Sequence, residues 1–206
     1  TGVESKLFSN DKPLEGKKIT SEVCIHHLSF NEYDYKKKKG FIKWNPSIKT
    51  LSDQQALWES LNDDRIDVIA TDHAPHTLNE KSNNYLNCPS GGPLVQHSLN
   101  MMFEHYLNKK ITLEKIVQKM CHNPAILFRV NKRGFIRKNY FADMVIINPR
   151  KNYTVDSNNI LYKCGWSPFE GTKLNSQITH TFINGNLVYE NGSINEDFRG
   201  KKISFE

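Results

Sequence analysis

Apolar and polar positions alternate or cluster along the chain in a way that predicts its elements in order. Ile19 to Leu28 is apolar and partly alternating, after Pro13 and Gly16, and reads as a strand. Phe41 to Trp44 is a short apolar piece closed by Asn45-Pro46, a turn signal. Ser52 and Asp53 can cap a helix reaching about Leu61, with Ala56, Leu57 and Leu61 at helical spacing. Ile66 to Ala70 is a short, mostly apolar run of the kind covered on both faces in a parallel sheet. A polar, proline-containing loop spans Thr77 to Pro93, and the next helix runs to about Leu107 with Leu99, Met102, Phe103 and Tyr106 on one face. Thr112 caps a further helix with Leu113, Ile116, Val117 and Met120 as its stripe. Asn123-Pro124 predicts another, with Asn as cap.

The pattern changes near Gly134. Phe141 to Ile147 reads as a strand. Ile178 to Ile183, Asn184-Gly185 and Asn186 to Glu190 form a hairpin signature, and Asn191-Gly192 is a second turn signal. α/β character therefore fills roughly the first 130 residues of the 206, and β character much of the rest. No internal repeat or low-complexity tract is present.

Composition narrows the classes. Hydrophobic residues make up 37% and charged residues 24% of the chain, which fits a folded domain and excludes wholesale disorder. No apolar run approaches a membrane span, and the first thirty residues carry no secretory pattern. The net charge of +6 is mostly a lysine excess. The basic run Lys36 to Lys39 reads as a solvated loop or helix end, without the interleaved aromatics of a nucleic-acid surface. Cys24, Cys88, Cys121 and Cys164 form no C-x-x-C pair and read as reduced thiols of a cytoplasmic protein.

The densest chemical cluster is Asp72, His73 and His76, directly after a buried strand. In parallel α/β architectures the carboxyl ends of strands carry the active site. A carboxylate there can bind a metal or move a proton, and imidazoles can hold an anion or a second metal. The same residues also fit a structural Asp capping the following loop beside surface histidines. Cys24, His26 and His27 form a second cluster. Cys24 and His26 would share one side of a strand and could share a metal, but a lone Cys-x-His favours a buried thiol and hydrogen-bonded histidines. Cys121-His122, His97, His105 and His180 read as structural, and Gly91-Gly92 lacks the features of a phosphate loop.

The run ATDHAPHTLNEK at 70–81 resembles the signature of the dihydroorotase family, within the amidohydrolase superfamily. SEVCIHHLSF at 21–30, KWNPSIKT at 43–50, PSGGP at 89–93, CHNPAILF at 121–128, FADMVIINP at 141–149, CGWSPFEGT at 164–172 and THTFINGNLVYENG at 179–192 resemble further family segments in family order. Allantoinase and dihydropyrimidinase share this layout, but His76 and the WSPFEG segment tilt the resemblance to dihydroorotase.

The resemblance implies a (β/α)₈ TIM barrel beside a small β-sandwich. Residues 1–133 would be the C-terminal portion of the barrel, and 134–206 a β-rich segment contributing to a composite sandwich. It implies reversible cyclisation of N-carbamoyl-L-aspartate to L-dihydroorotate in pyrimidine synthesis, at two zinc ions often bridged by a carboxylated lysine. Carried over, Asp72 is a metal ligand and general acid/base. His76 holds the substrate carboxylate, Asn45 contacts substrate, and Ser90 and Gly91 offer backbone groups to the ring. His26 and His27 match a pair outside the family's metal set.

The family's first-strand His-x-His, its lysine, and its fifth- and sixth-strand histidines have no counterpart here. A full barrel takes about 250 residues. The chain is therefore expected to be the C-terminal half of a longer protein, in need of its N-terminal half. Alone it is expected to bind zinc weakly through Asp72 and to lack activity. It would act on a small molecule, not on nucleic acid or membrane, and could form a homo-oligomer. The alternatives are a non-catalytic structural partner of aspartate transcarbamoylase and another cyclic amidase such as allantoinase.

Overall fold

The computed structural model describes residues 1–205. Two short strands anchor the α/β part. β1 (Glu22–Cys24) and β2 (Val68–Ala70) pair in parallel with Cys24 opposite Ala70. Parallel neighbours need a crossover, supplied by α1 (Ile25–Ser29) and α2 (Leu51–Asn62). Among the described residues no other strand pairs with β1 or β2, so both outer edges of this sheet are open.

The strand predicted over Ile19 to Leu28 is thus mostly something else. Only Glu22–Cys24 is extended, and the chain turns into α1 at Ile25. Ile25 and Leu28, three apart, are both wholly buried there, as one face of a helix allows; strict alternation would set them on opposite faces. Trp58 Nε1 and Gln54 Nε2 on α2 donate to the Leu28 carbonyl (3.1 and 3.0 Å), satisfying an acceptor at the end of α1. α2 is capped by Thr50 rather than by Ser52 or Asp53. The Thr50 hydroxyl accepts from the Asp53 amide, and Asp53 reaches back to the Thr50 amide.

α3 (Ser98–Leu107) comes after the long loop, buries Met101, Met102 and Phe103, and matches the predicted helix. Within that loop Thr77 caps a helical turn at Leu78–Lys81. α4 (Leu113–Val117) starts at Thr112 as predicted. No break precedes α5 (Asn123–Leu127). A π-helical turn over Gln118–His122 joins the two, and Asn123 is not a cap. Its side chain instead donates to the Asp67 carbonyl at 2.6 Å and ties this helix to the residue just before β2.

The C-terminal part holds a four-stranded antiparallel sheet. β3 (Met144–Asn148) pairs with β6 (Gln177–Ile183), β6 with β7 (Asn186–Glu190), and β7 with β8 (Ser193–Ile194). Both predicted turns are present. Asn184 and Gly185 have φ of 52° and 83°, and Asn191 and Gly192 45° and 100°, the left-handed pairs that tight hairpins require. Between β3 and β6 the chain returns to the α/β part through β4 (Tyr153–Thr154) and β5 (Lys173–Leu174). Val155, Phe169 and Leu174 lie in the same core as Ile25, Leu28, Ile42, Trp44 and Met102. Of the basic run, Lys36, Lys37 and Lys39 are exposed, whereas Lys38 Nζ reaches the Pro168 carbonyl at 2.6 Å.

Candidate active site

The carboxyl ends of β1 and β2 lie side by side, so the segments leaving the two strands share one rim. After β2 comes Asp72, at φ 46°. The left-handed conformation is tolerated by Asp and Asn better than by most residues. Asp72 is exposed, and its carboxylate accepts no hydrogen bond among the described residues, so it does not cap the loop beyond it. It lines a pocket of about 280 Å³ with Cys24, His27, Phe30, Pro46, Lys49 and others.

His73 behaves differently from Asp72. Its Nδ1 accepts from the backbone amides of Leu94 (3.0 Å) and Val95 (3.3 Å). That ring ties two loops together and is structural. His76 Nε2 donates to the Ser90 carbonyl at 2.9 Å, so His76, Ser90 and Gly91 form one cluster. The structure therefore brings three of the predicted site residues together around the 89–92 loop. Asp72 sits in the neighbouring pocket, beside Pro46, and Asn45 precedes Pro46 in an exposed position.

Sequence patterns did not single out the group that holds this loop. Lys81 is 1% exposed, and its ammonium donates to the carbonyls of Pro89 (2.9 Å) and Gly91 (2.8 Å). Burial lowers its pKa to about 8, against the usual lysine range. The Gly91 amide in turn donates to the Lys43 carbonyl at 2.9 Å, and Trp166 Nε1 donates to the His76 carbonyl at 2.8 Å. The Thr77-x-x-Glu80 capping box marks the turn that carries Lys81, but nothing in the sequence marks the lysine as buried. Replacing Lys81 by Met should cost about 2–4 kcal/mol, because the Pro89 and Gly91 carbonyls lose their donor inside the protein. The drop in the urea midpoint measures it.

His26 departs from the expected reading of hydrogen-bonded histidines. It is wholly buried, stacks on Trp44 at 4.3 Å between ring centres, and neither ring nitrogen has a hydrogen-bond partner. Burial, then the charge of His27, drives its pKa down to about 2. His27 donates from Nε2 to the Pro46 carbonyl at 3.1 Å. Burial, with the carboxylates of Glu22 and Asp72 adding to it, pushes the Cys24 thiol up to about 12. Among the other histidines, His97 contacts Ser167 Oγ (3.2 Å), His105 contacts Ser29 Oγ (3.2 Å), and His180 faces Glu190 at the surface.

The amidohydrolase family profile matches residues 19–188, which takes in the whole rim and most of the antiparallel sheet. The chain belongs to the amidohydrolase family. A dihydroorotase of Clostridioides difficile (strain 630) is 35% identical over 175 residues, 84% of this chain and 41% of that protein. A dihydroorotase of Pyrococcus abyssi (strain GE5 / Orsay) is 32% identical over 185 residues, 90% of this chain and 44% of that protein. Among solved structures, the L-hydantoinase (dihydropyrimidinase) from Arthrobacter aurescens superposes with a TM-score of 0.83 at 25% identity, covering 94% of this chain and 44% of that one. The amidohydrolase chain thus spans about two fifths of the length of the relatives it matches, and its fold is that of part of a TIM-barrel metal hydrolase followed by antiparallel strands. Among the described residues no helix is long and apolar enough to cross a membrane.

A catalytic zinc site uses at least three protein ligands. Of the ligands the family resemblance calls for, this chain holds Asp72 alone. Its residues by themselves therefore do not fit a complete two-metal centre.

Proposed function

We propose that these residues are the C-terminal part of a dihydroorotase, supplying Asp72 and the substrate-binding side of the site. The remaining zinc ligands would come from polypeptide beyond the 206 residues. The observation that carries this is a carboxylate at a parallel strand end with no structural hydrogen bond, next to a loop cluster built from His76, Ser90 and Gly91. Dihydroorotase relatives at 31–35% identity, against 25% for the hydantoinase structure, favour L-dihydroorotate over hydantoins as substrate. Zinc bound at such a centre, with Asp72 among its ligands and the rest from elsewhere, would supply a nucleophile at neutral pH and polarise the scissile carbonyl.

In this reading Asp72 takes the proton of the attacking water and passes it to the amide nitrogen that leaves as the ring opens. The reverse order closes N-carbamoyl-L-aspartate. His76 faces the substrate carboxylate through its Nδ1 edge. Asn45 and the backbone of Ser90 and Gly91 orient the ring. The reaction belongs to pyrimidine synthesis, in the cytoplasm, and the enzyme could be a homo-oligomer.

Residues 1–133 would complete a barrel whose other strands pair with the open edges of β1 and β2. Residues 134–206 would contribute to a composite β-sandwich. Val145 and Ile146 point to opposite faces of β3 and are 48% and 49% exposed, as expected of a strand whose covering layer comes from elsewhere.

Hydrolysis of L-dihydroorotate by the polypeptide carrying both halves tests the reading, with hydantoin, dihydrouracil and allantoin as competitors. Turnover of a competitor without turnover of dihydroorotate would reassign the substrate, and no turnover of any would favour a non-catalytic role. In the same protein His76→Ala should raise KM for the anionic substrate about 10- to 100-fold, with a smaller loss of kcat, because the lost contact acts on bound substrate before and during the reaction.

A further inference from the structure

Cys24, His26 and His27 each present a ligand atom, and these atoms all lie within 4.8 Å of one another. We propose that they form a mononuclear site for a zinc-class divalent transition ion, distinct from the carboxylate centre to which Asp72 would contribute. The proposal does not depend on the dihydroorotase reading.

The local fold makes the cluster. Cys24 ends β1 with an extended backbone, and α1 begins at the next residue. The change from strand to helix brings His26 and His27 back over the thiol. Around a tetrahedral zinc, donors held at about 2.0–2.3 Å sit roughly 3.3–3.8 Å apart. Side-chain adjustments of about 1 Å therefore close the set.

Two observations point to a ligand. First, His26 is wholly buried and both its ring nitrogens lack any partner. A buried imidazole with nothing to bond costs stability, and a metal ion is a partner that removes the cost. Second, His27 donates Nε2–H to the Pro46 carbonyl. This fixes the tautomer with the lone pair on Nδ1, and a carbonyl behind the ring is the usual support of a metal-binding histidine.

The donor set selects the ion. One thiolate and two imidazoles suit zinc and exclude calcium and magnesium, which require oxygen ligands. The about 280 Å³ pocket touches Cys24 and His27, giving an entry path and leaving the fourth position to water. Binding converts the Cys24 thiol to a thiolate, so one S–H bond breaks, one metal–sulfur bond forms and one proton is released per ion. The 206-residue chain should then hold one ion tightly, against the weak binding expected from Asp72 alone.

Cobalt(II) reports such a site by its colour. Added to the reduced, metal-free chain, one equivalent should give a thiolate-to-cobalt charge-transfer band and intense tetrahedral visible bands, with release of one proton. One equivalent of zinc should abolish both sets of bands. Cys24→Ser should remove the charge-transfer band and weaken binding at least about 100-fold, and His27→Gln should weaken it about 10- to 100-fold. Asp72→Asn should leave the spectrum unchanged. No band in the unsubstituted chain, or a band that survives Cys24→Ser, overturns the site. A band lost in Asp72→Asn overturns its separateness. Cys24 and His27 are only part-buried, so both variants should fold; their unfolding midpoints confirm this.

Discussion

In the dihydroorotase proposed here, Asp72→Asn should reduce kcat/KM for dihydroorotate by at least about 1,000-fold. General acid–base catalysis alone contributes about 10²- to 10⁴-fold, and in the proposed role the substitution would also remove an anionic metal donor. The variant separates chemistry from folding unusually cleanly. Asn adopts the left-handed backbone found at φ 46° as readily as Asp does. The carboxylate makes no hydrogen bond within the described chain that the amide would lose. The unfolding midpoint should therefore stay unchanged while turnover falls. Activity within 10-fold of the parent would remove Asp72 from the reaction.

That expectation depends on a distinction the sequence could not make. The pattern Asp72, His73, His76 was equally compatible with metal chemistry and with loop capping. The structure divides the cluster. His73 is engaged by two backbone amides, His76 by the Ser90 carbonyl, and only Asp72 is free. Spacing records which groups are near in the chain, whereas hydrogen bonding to loop 89–95 depends on a contact some twenty residues away.

Elsewhere, legibility tracked the strength of the local constraint. The two Asn-Gly hairpin turns were readable because a left-handed pair admits few residues. Strand β2 was readable because an apolar run closed by a polar loop has few other uses. The strand predicted from Ile19 to Leu28 failed past Cys24, because the run there is only partly alternating: Ile25 and Leu28 share a helix face, and donors on α2 meet the carbonyl at the helix end. With that error went the geometry of Cys24, His26 and His27. A continuous strand would set Cys24 and His26 on one side and His27 on the other, but the strand-to-helix junction gathers all three.

Gly91→Ala should be the most damaging single-methyl change in the 89–92 loop. Gly91 has φ +117°, a conformation that L side chains rarely adopt. An added Cβ would lie 2.6 Å from the Ala74 carbonyl oxygen and 3.0 Å from Ala74 Cβ. Backbone cannot yield there without cost. The Gly92 carbonyl holds the Ala74 amide, and Lys81 and Lys43 hold Gly91 from the other side. Backbone strain and overpacking together should cost about 3 kcal/mol in unfolding free energy. The displaced loop would carry the Ser90 carbonyl away from His76, so KM should rise in the complete enzyme at temperatures where the fold survives. Gly165→Ala serves as the control. Its φ is +74° but nothing lies within 4 Å of the added methyl, so it should cost about 1–2 kcal/mol from backbone strain alone and leave KM unchanged. Equal losses for the two variants would mean that backbone conformation, and not the closeness of loops 73–76 and 89–92, limits the site.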